Sequence, residues 1–157
     1  MSEFNKIAIV GRPGHKGVAD TCKRLLSFLS SCGVTVVMDA TTAELAVARD
    51  CEIAEKETLS LDCDLLIVVG GDGSMLKMAK FIVPDDVPVI GINRGKLGFL
   101  TDVLPDELEE QLSAVLAGDY TVEKRFLLDV AYLRNGQRHA LGSALNDVVL
   151  HPGQAAQ

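Results

Sequence analysis

No stretch of this sequence reaches the roughly 18 consecutive apolar residues that a membrane span needs, and its start, MSEFNKIAIVG, has no signal-peptide pattern. The expectation is therefore a cytoplasmic protein. It also lacks a basic cluster. Its net charge is −7, which argues against nucleic acid or an anionic membrane as a bulk electrostatic partner. It has no CxxC pair: Cys22, Cys32, Cys51 and Cys63 are scattered through apolar patterns and read as buried, reduced thiols. Both the Walker pattern GxxxxGK[ST] and the dinucleotide fingerprint GxGxxG are absent, which excludes an ordinary P-loop and a standard dinucleotide loop. What remains is an ordinary globular composition, 48% hydrophobic and 24% charged over 157 residues, long enough for a domain that buries about 70% of its unfolded surface.

The most informative stretch is DLLIVVGGDGSMLKMAKFI. Leu65 to Val69 form an apolar run bounded by glycine, the pattern of a buried parallel strand. Met75, Leu76, Met78, Ala79 and Ile82 then follow at the spacing of one helix face, in a helix opened by Ser74. Between them Gly70, Gly71 and Gly73 are expected to take positive φ and to bring bare N–H groups toward a ligand. The partial positive charge of a helix N-terminus favours an anion there. Asp72 conflicts with that design, because a carboxylate repels phosphate. Either it has a chemical task, such as holding Mg²⁺ or taking a proton, or it makes a turn hydrogen bond or caps the helix.

Before this stretch, Lys6 to Val10 read as a short buried strand that ends in GRPGHKG. Arg12, His15 and Lys16 in that loop could meet phosphate, although a solvated surface loop is the stronger reading. Val18, Cys22, Leu25, Leu26 and Leu29 mark an amphipathic helix stopped by Gly33, and Val34 to Met38 mark a second strand. Thr41 to Leu61 read as a solvated helix and loop without assigned chemistry. Beyond the organising stretch, Val87 to Ile90 suggest another strand. Strands alternating with helices imply an α/β fold, a mostly parallel sheet with flanking helices. Ligands on such sheets bind beyond the carboxyl ends of the strands. GINRGKLGFLTD, Gly91 to Asp102, lies at such an end and reads as a binding loop carrying Asn93, Arg94 and Lys96, with Phe99 and Leu100 as an apolar wall. The alternative is a tight turn with Phe99 in the core. Pro105 opens a helix with an inner face of Leu108, Leu112, Val115 and Leu116, and Gly118 follows it.

After Gly118 the period changes from helical to two: Val122, Lys124, Phe126, Leu128, Val130 and Tyr132 alternate as in a strand. Asn135-Gly136 suits a type I′ hairpin turn, with Ala140 to Leu150 returning. One hairpin cannot form an independent sheet. The expected division is residues 1–120 as an α/β nucleotide-binding domain and 121–157 as a β-hairpin beginning an incomplete β-rich second domain. Unpaired hairpin edges and an apolar face are expected to promote association or aggregation. Within the returning strand, ALNDVVLHPG offers Asn146 and Asp147 as a donor and acceptors for a sugar or base edge, or simply as a bulge. His151 there can be read as an end-of-strand histidine and no more.

GGDGSML, GINRGKLGFLTD and ALNDVVLHPG, in this order, together resemble the NAD kinase family in its bacterial form, over nearly the whole chain from KIAIVGRPG to HPG. The resemblance implies transfer of the γ-phosphoryl group of ATP, or of polyphosphate, to the adenosine-ribose 2′-hydroxyl of NAD, assisted by a divalent metal, usually Mg²⁺. It makes Asp72 the catalytic base, a role suited to a side chain ionised at neutral pH. Gly71, Gly73 and Ser74 would approach phosphates through backbone N–H groups, Lys77 would add a cation near the dinucleotide, Phe99 would pack beside the NAD site, and Asn146 with Asp147 would bind NAD. No protein ligand of the metal is legible. Two features depart from the family: Ser74 and Asp147 stand where many relatives have Thr and Glu, and family members continue into a β-rich domain with a TGSTAY-like motif, whereas this sequence ends in QAAQ. The expectation is thus an NAD kinase that is incomplete in this chain, homo-oligomeric in the full-length family. The alternatives are a non-catalytic NAD- or nucleotide-binding module, or another kinase with a GGDGS loop of the phosphofructokinase kind.

Overall fold

A computed structural model describes residues 3–95, 98–101 and 103–150. The chain divides into two compact units, Met1–Val122 and Glu123–Gln157. Among the described residues, the first unit contains five strands, β1 (Lys6–Gly11), β2 (Thr35–Asp39), β3 (Glu52–Ala54), β4 (Leu65–Gly70) and β5 (Val89–Asn93). They form one parallel sheet in the order β3-β2-β1-β4-β5. The helices that accompany them are α1 (Val18–Ser31), α2 (Ala40–Ala46), α3 (Asp72–Ile82) and α4 (Leu108–Leu116). This is the α/β class, a parallel sheet with flanking helices, that the alternating pattern implied.

Both faces of the sheet are buried, and strand alternation sorts the side chains between them. Ile7 and Ile9 of β1 and Leu65, Ile67 and Val69 of β4 pack with Val18, Cys22, Leu25 and Leu29 of α1 and with Leu108 and Leu112 of α4. Ala8, Val10, Leu66 and Val68 turn to the other face, against Met78 and Ile82 of α3 and Leu59 of the 3₁₀ segment Lys56–Asp62. Helix α1 ends as its sequence suggested. Gly33 has φ 76, its N–H donates to the Ser30 carbonyl, and the Val34 N–H donates to the Leu29 carbonyl, the two bonds of a Schellman end. Arg24 links α1 to the start of α4. Its Nη2 and Nε donate to the two carboxylate oxygens of Glu109 at 2.6 and 3.1 Å, and its Nη1 donates to the Pro105 carbonyl.

Several expected boundaries moved. The region read as a solvated helix and loop contains β3, a three-residue edge strand paired only with β2. It is too short and too exposed to carry a periodic apolar signal. Strand β5 begins and ends later than Val87 to Ile90 and takes in Asn93. Helix α3 starts at Asp72, not Ser74, with Gly71 as its N-cap. Of the cysteines, only Cys22 is fully buried; Cys51 and Cys63 are partly buried and Cys32 is exposed, so the buried-thiol expectation fails there. Cys32 sits at the C-cap of α1, where the chain leaves the core.

The second unit is a hairpin of β6 (Leu127–Arg134) and β7 (Gln137–Leu145), antiparallel and forming a two-stranded sheet of its own. Asn135 and Gly136 have φ 52 and 76, as a type I′ turn demands. Val122, Lys124 and Phe126 precede β6, and β7 ends well before Leu150, so both strands are offset from the expected ranges. A register shift at Val130/Ala131 faces Gly142, whose φ is 133. Such a bulge resets the alternation partway along a strand.

Candidate nucleotide-binding site

The chain runs outward from β1 through β2 to β3, then returns to place β4 on the opposite side of β1. The direction of winding therefore reverses between β1 and β4, the place where open α/β sheets form a ligand crevice at their carboxyl ends. The loops leaving β1, β4 and β5 meet at this edge.

At the exit of β4 the glycines serve a purpose other than the expected one. None of Gly70, Gly71 and Gly73 has positive φ; Gly71 is extended, with φ −120 and ψ −172. A Cβ on Gly70 would run into the Ser74 side chain, whereas Gly71 and Gly73 leave open space beside bare backbone. The requirement at Gly70 is close approach, and at the other two it is backbone left accessible. The Ser74 N–H donates to the Gly71 carbonyl at 2.8 Å and is not free for a ligand. The Ser74 hydroxyl is buried and has no hydrogen-bond partner.

Asp72 is the first residue of α3, yet its carboxylate does not cap that helix. Its Oδ2 accepts the Phe99 N–H at 2.9 Å and its Oδ1 accepts the Leu100 N–H at 3.0 Å. The carboxylate occupies the space that a Cβ on Gly98 would need. Asp72 thereby anchors the loop that follows β5. In that loop Leu100 turns inward, while Phe99 is 90% exposed and is not a core residue. Lys96 and Asp102 of the same motif lie outside the described residues.

Arg94 makes the second link. Its N–H donates to the Gly70 carbonyl at 2.8 Å, and its Nε donates to Thr21 Oγ1 of α1 at 2.6 Å. Its guanidinium fills the space beside Gly17, whose φ is 79. Asn93, buried at the end of β5, accepts the Gly95 N–H on its Oδ1. The carboxyl end of β1 is held by a buried pair that the sequence did not reveal: Thr42 accepts the Gly11 N–H and donates to Asp39. A Thr three residues after an Asp at a strand end is the only trace of it.

Lys77, one turn further along α3, is exposed and lines a small cleft of about 90 Å³ at the same edge, beside Ser74 and Arg12. His15 and Lys16 are exposed. Asn146 and Asp147 belong to the second unit, and both lie past the end of β7, not within a strand. Asn146 has φ 73, and its Oδ1 accepts Arg125 Nη1 at 3.4 Å. Asp147 donates its N–H to the Leu145 carbonyl. His151 lies outside the described residues. Among the described residues, no three His, Cys, Asp or Glu side chains gather as a metal cage, and no helix is long and apolar enough to cross a membrane.

A reversing parallel sheet with glycine loops stitched together at its carboxyl edge defines an open α/β domain with a ligand crevice at its switch point. The family described as ATP-NAD kinase N-terminal domain matches residues 7–120, and this chain belongs to it. Relatives called NAD kinase include those of Marinobacter nauticus, 46% identical, and Pseudomonas putida strain W619, 47% identical; each match covers 100% of this chain and 53% of the relative. The chain thus spans about half the length of the curated relatives it matches. Yeast NADH kinase, solved in complex with NADH, has the same fold: the TM-score is 0.68 at 18% identity, over 90% of this chain and 46% of that one.

Proposed function

We propose that this chain carries the nucleotide-binding part of an NAD kinase, which transfers a phosphoryl group from ATP or polyphosphate to the adenosine-ribose 2′-hydroxyl of NAD. The family match over residues 7–120 supports the chemistry, and the observation that carries the site is the held carboxylate of Asp72 at the start of α3. Each of its oxygens accepts one backbone N–H, and each retains a lone pair. The two bonds fix the carboxylate in orientation without consuming its capacity for a proton. Asp72 would accept the hydroxyl proton as the 2′-oxygen attacks phosphorus; the proton ends on the carboxylate, and the P–O bond to the leaving group breaks, releasing ADP from ATP or a chain one phosphate shorter from polyphosphate. Gly71 and Gly73 expose backbone on which phosphate could lie, Lys77 would add positive charge, and Phe99 would offer an exposed ring against the dinucleotide. Asn146 and Asp147 are proposed to read the ribose and base edges of NAD.

A divalent cation, Mg²⁺ by the oxygen chemistry of its ligands, would offset negative charge on the donor's phosphates. It would arrive bound to those phosphates. The reading also places the protein in the cytoplasm and makes its full-length form a homo-oligomer. The test is NADP formation from NAD, ATP and Mg²⁺ by the parent and by Asp72→Asn. Turnover in the parent, lowered roughly 10²–10⁴-fold in the variant, supports the assignment. A parent that neither binds NAD nor makes NADP overturns it.

A further inference from the structure

The hydrogen bonds that hold the Asp72 carboxylate among the described residues come from the Phe99 and Leu100 N–H groups, both in the loop after β5. That loop has little of its own to keep it in place, since it contains Gly95 and Gly98 and leaves Phe99 exposed. Its far end returns to β5, where the Asn93 N–H donates to the Val103 carbonyl. Its near end is Arg94, the residue directly after β5. The Arg94 N–H donates to the carbonyl of Gly70, just ahead of Asp72, at 2.8 Å, and its Nε donates to Thr21 Oγ1 of α1 at 2.6 Å. Among the described residues, no other side chain of the loop hydrogen-bonds to a different element.

The placement of this side chain runs against charge. Gly17, the N-cap of α1, has φ 79, and a Cβ there would come within 2.8 Å of Arg94 Cζ, so the guanidinium lies against bare backbone at the start of a 14-residue helix. The partial positive charge of a helix N-terminus disfavours a cation. Among the described residues, no carboxylate pairs with Arg94; Asp20 in the first turn of α1 is exposed and is not its partner. A cation kept where the local field opposes it points to a task beyond stabilising the helix. Thr21 is built to receive it. Its side chain is fully buried, and its hydroxyl donates to the Gly17 carbonyl at 3.0 Å. With its one proton committed, the hydroxyl meets Arg94 as an acceptor.

We infer that Arg94, oriented by Thr21, is a positioning residue for the Asp72 carboxylate. Its side chain braces on α1 and its backbone on Gly70, which fixes the start of the loop whose Phe99 and Leu100 N–H groups hold Asp72. Arg94 acts through that loop and not on the reacting atoms. The brace itself is independent of the reaction; its bearing on phosphoryl transfer rests on the kinase reading above. The task is specific to arginine. Lysine keeps the charge, but carbon stands where Nε is, its amine lies one bond further out, and it has no planar group to set against Gly17.

Amide hydrogen exchange followed by NMR on the whole chain tests this for the parent, Arg94→Lys, Thr21→Val and Thr21→Ser, with the amides of β1 and β4 as the check that the sheet is intact. Thr21→Val keeps the shape and removes the hydroxyl, and the Gly17 carbonyl still accepts the N–H of residue 21; Thr21→Ser keeps the hydroxyl. The Phe99 and Leu100 amides are expected to exchange roughly tenfold faster in Arg94→Lys and Thr21→Val and at the parental rate in Thr21→Ser, with β1 and β4 unchanged throughout. Parental exchange at Phe99 and Leu100 in both of the first two variants would overturn the inference. NADP formation gives a second readout: kcat lowered roughly tenfold or more in Arg94→Lys and Thr21→Val, KM for NAD and for ATP unchanged, and recovery in Thr21→Ser. An unchanged kcat in an active chain would overturn the positioning role, and so would a raised KM with kcat kept, which would make Arg94 a binding residue. The two readings fail separately. A parent that makes no NADP removes the kinase, and exchange at Phe99 and Leu100 still decides the brace; parental exchange in a chain that makes NADP removes the brace and leaves the kinase.

Discussion

The isosteric variant Asp72→Asn changes more than a proton acceptor. Asp72 receives one N–H on each oxygen, and an amide has only one oxygen to offer. The introduced NH₂ would face a backbone donor, leaving that donor unsatisfied at a cost of about 1–3 kcal/mol. We expect urea denaturation to register this loss separately from the loss of turnover; an unchanged midpoint would mean that the carboxylate is not bound to the loop. The glycine opposite the carboxylate belongs to the same device, because a side chain on Gly98 would stand where the Asp72 oxygens lie. Cysteine chemistry divides by burial. Burial pushes the Cys22 thiol up to about 12 and the Cys63 thiol up to about 11, whereas Cys32 is exposed. Iodoacetamide on the native protein should label Cys32 first and spare Cys22 until denaturant is added, as peptide mass spectrometry will show.

At the scale of elements, α1 and α4 rest on one face of the sheet and α3 on the other. Burial of leucines such as Leu25 and Leu108 supplies most of the attachment of α1 and α4, and the ion pair between these two helices adds little. Arg24 and Glu109 are half-exposed at 39% and 44%, so their pairing is worth at most about 1 kcal/mol after screening. The hydrogen bond from Arg24 holds the Glu109 carboxyl below its ordinary value of 4.5. A depressed folded pKa stabilises the fold above the unfolded value and loses that stability as pH falls through the folded one. The gap in stability between the parent and Glu109→Gln should therefore be open at neutral pH and close as the pH drops below 4.5, in urea titrations at each pH. An equal gap at acid pH would show that the pair acts through packing instead.

For the whole molecule, the division into Met1–Val122 and Glu123–Gln157 has a direct test. Residues 119–126 have no regular structure, and Lys124 and Arg125 are exposed within them. Trypsin should cut there first and release a fragment that keeps the five-stranded sheet, whereas cleavage inside β1 or β4 before this point would argue against two units. The second unit exposes Phe126, Leu133, Leu141 and Leu150 at 76, 76, 66 and 97%. Dispersed singly such residues mean little, but Leu133 and Leu141 lie on the two-stranded sheet and Phe126 and Leu150 on the segments that flank it, so much of the unit's apolar surface is left uncovered. Light scattering of the chain should show concentration-dependent association, and a monodisperse monomer would contradict it.

By itself the sequence determined what depends on neighbours along the chain. Apolar runs bounded by glycine placed β1, β2 and β4, helical spacing placed α1, α3 and α4, and Asn135-Gly136 placed the hairpin turn, because each of these is a local property of backbone and periodicity. It also singled out Asp72, whose charge conflicts with its loop. It could not supply the partner of that charge, since Phe99 and Leu100 lie 27 and 28 residues away and meet it only once β4 and β5 are side by side. The short edge strand β3 escaped notice because pairing with β2, not its own pattern, makes it a strand. Which glycines needed bare backbone and which needed room for a neighbour was likewise a matter of tertiary contact. Thr21 and Arg94 stand 73 residues apart along the chain, and only the placing of β4 and β5 beside β1 brings the guanidinium of one to the hydroxyl of the other.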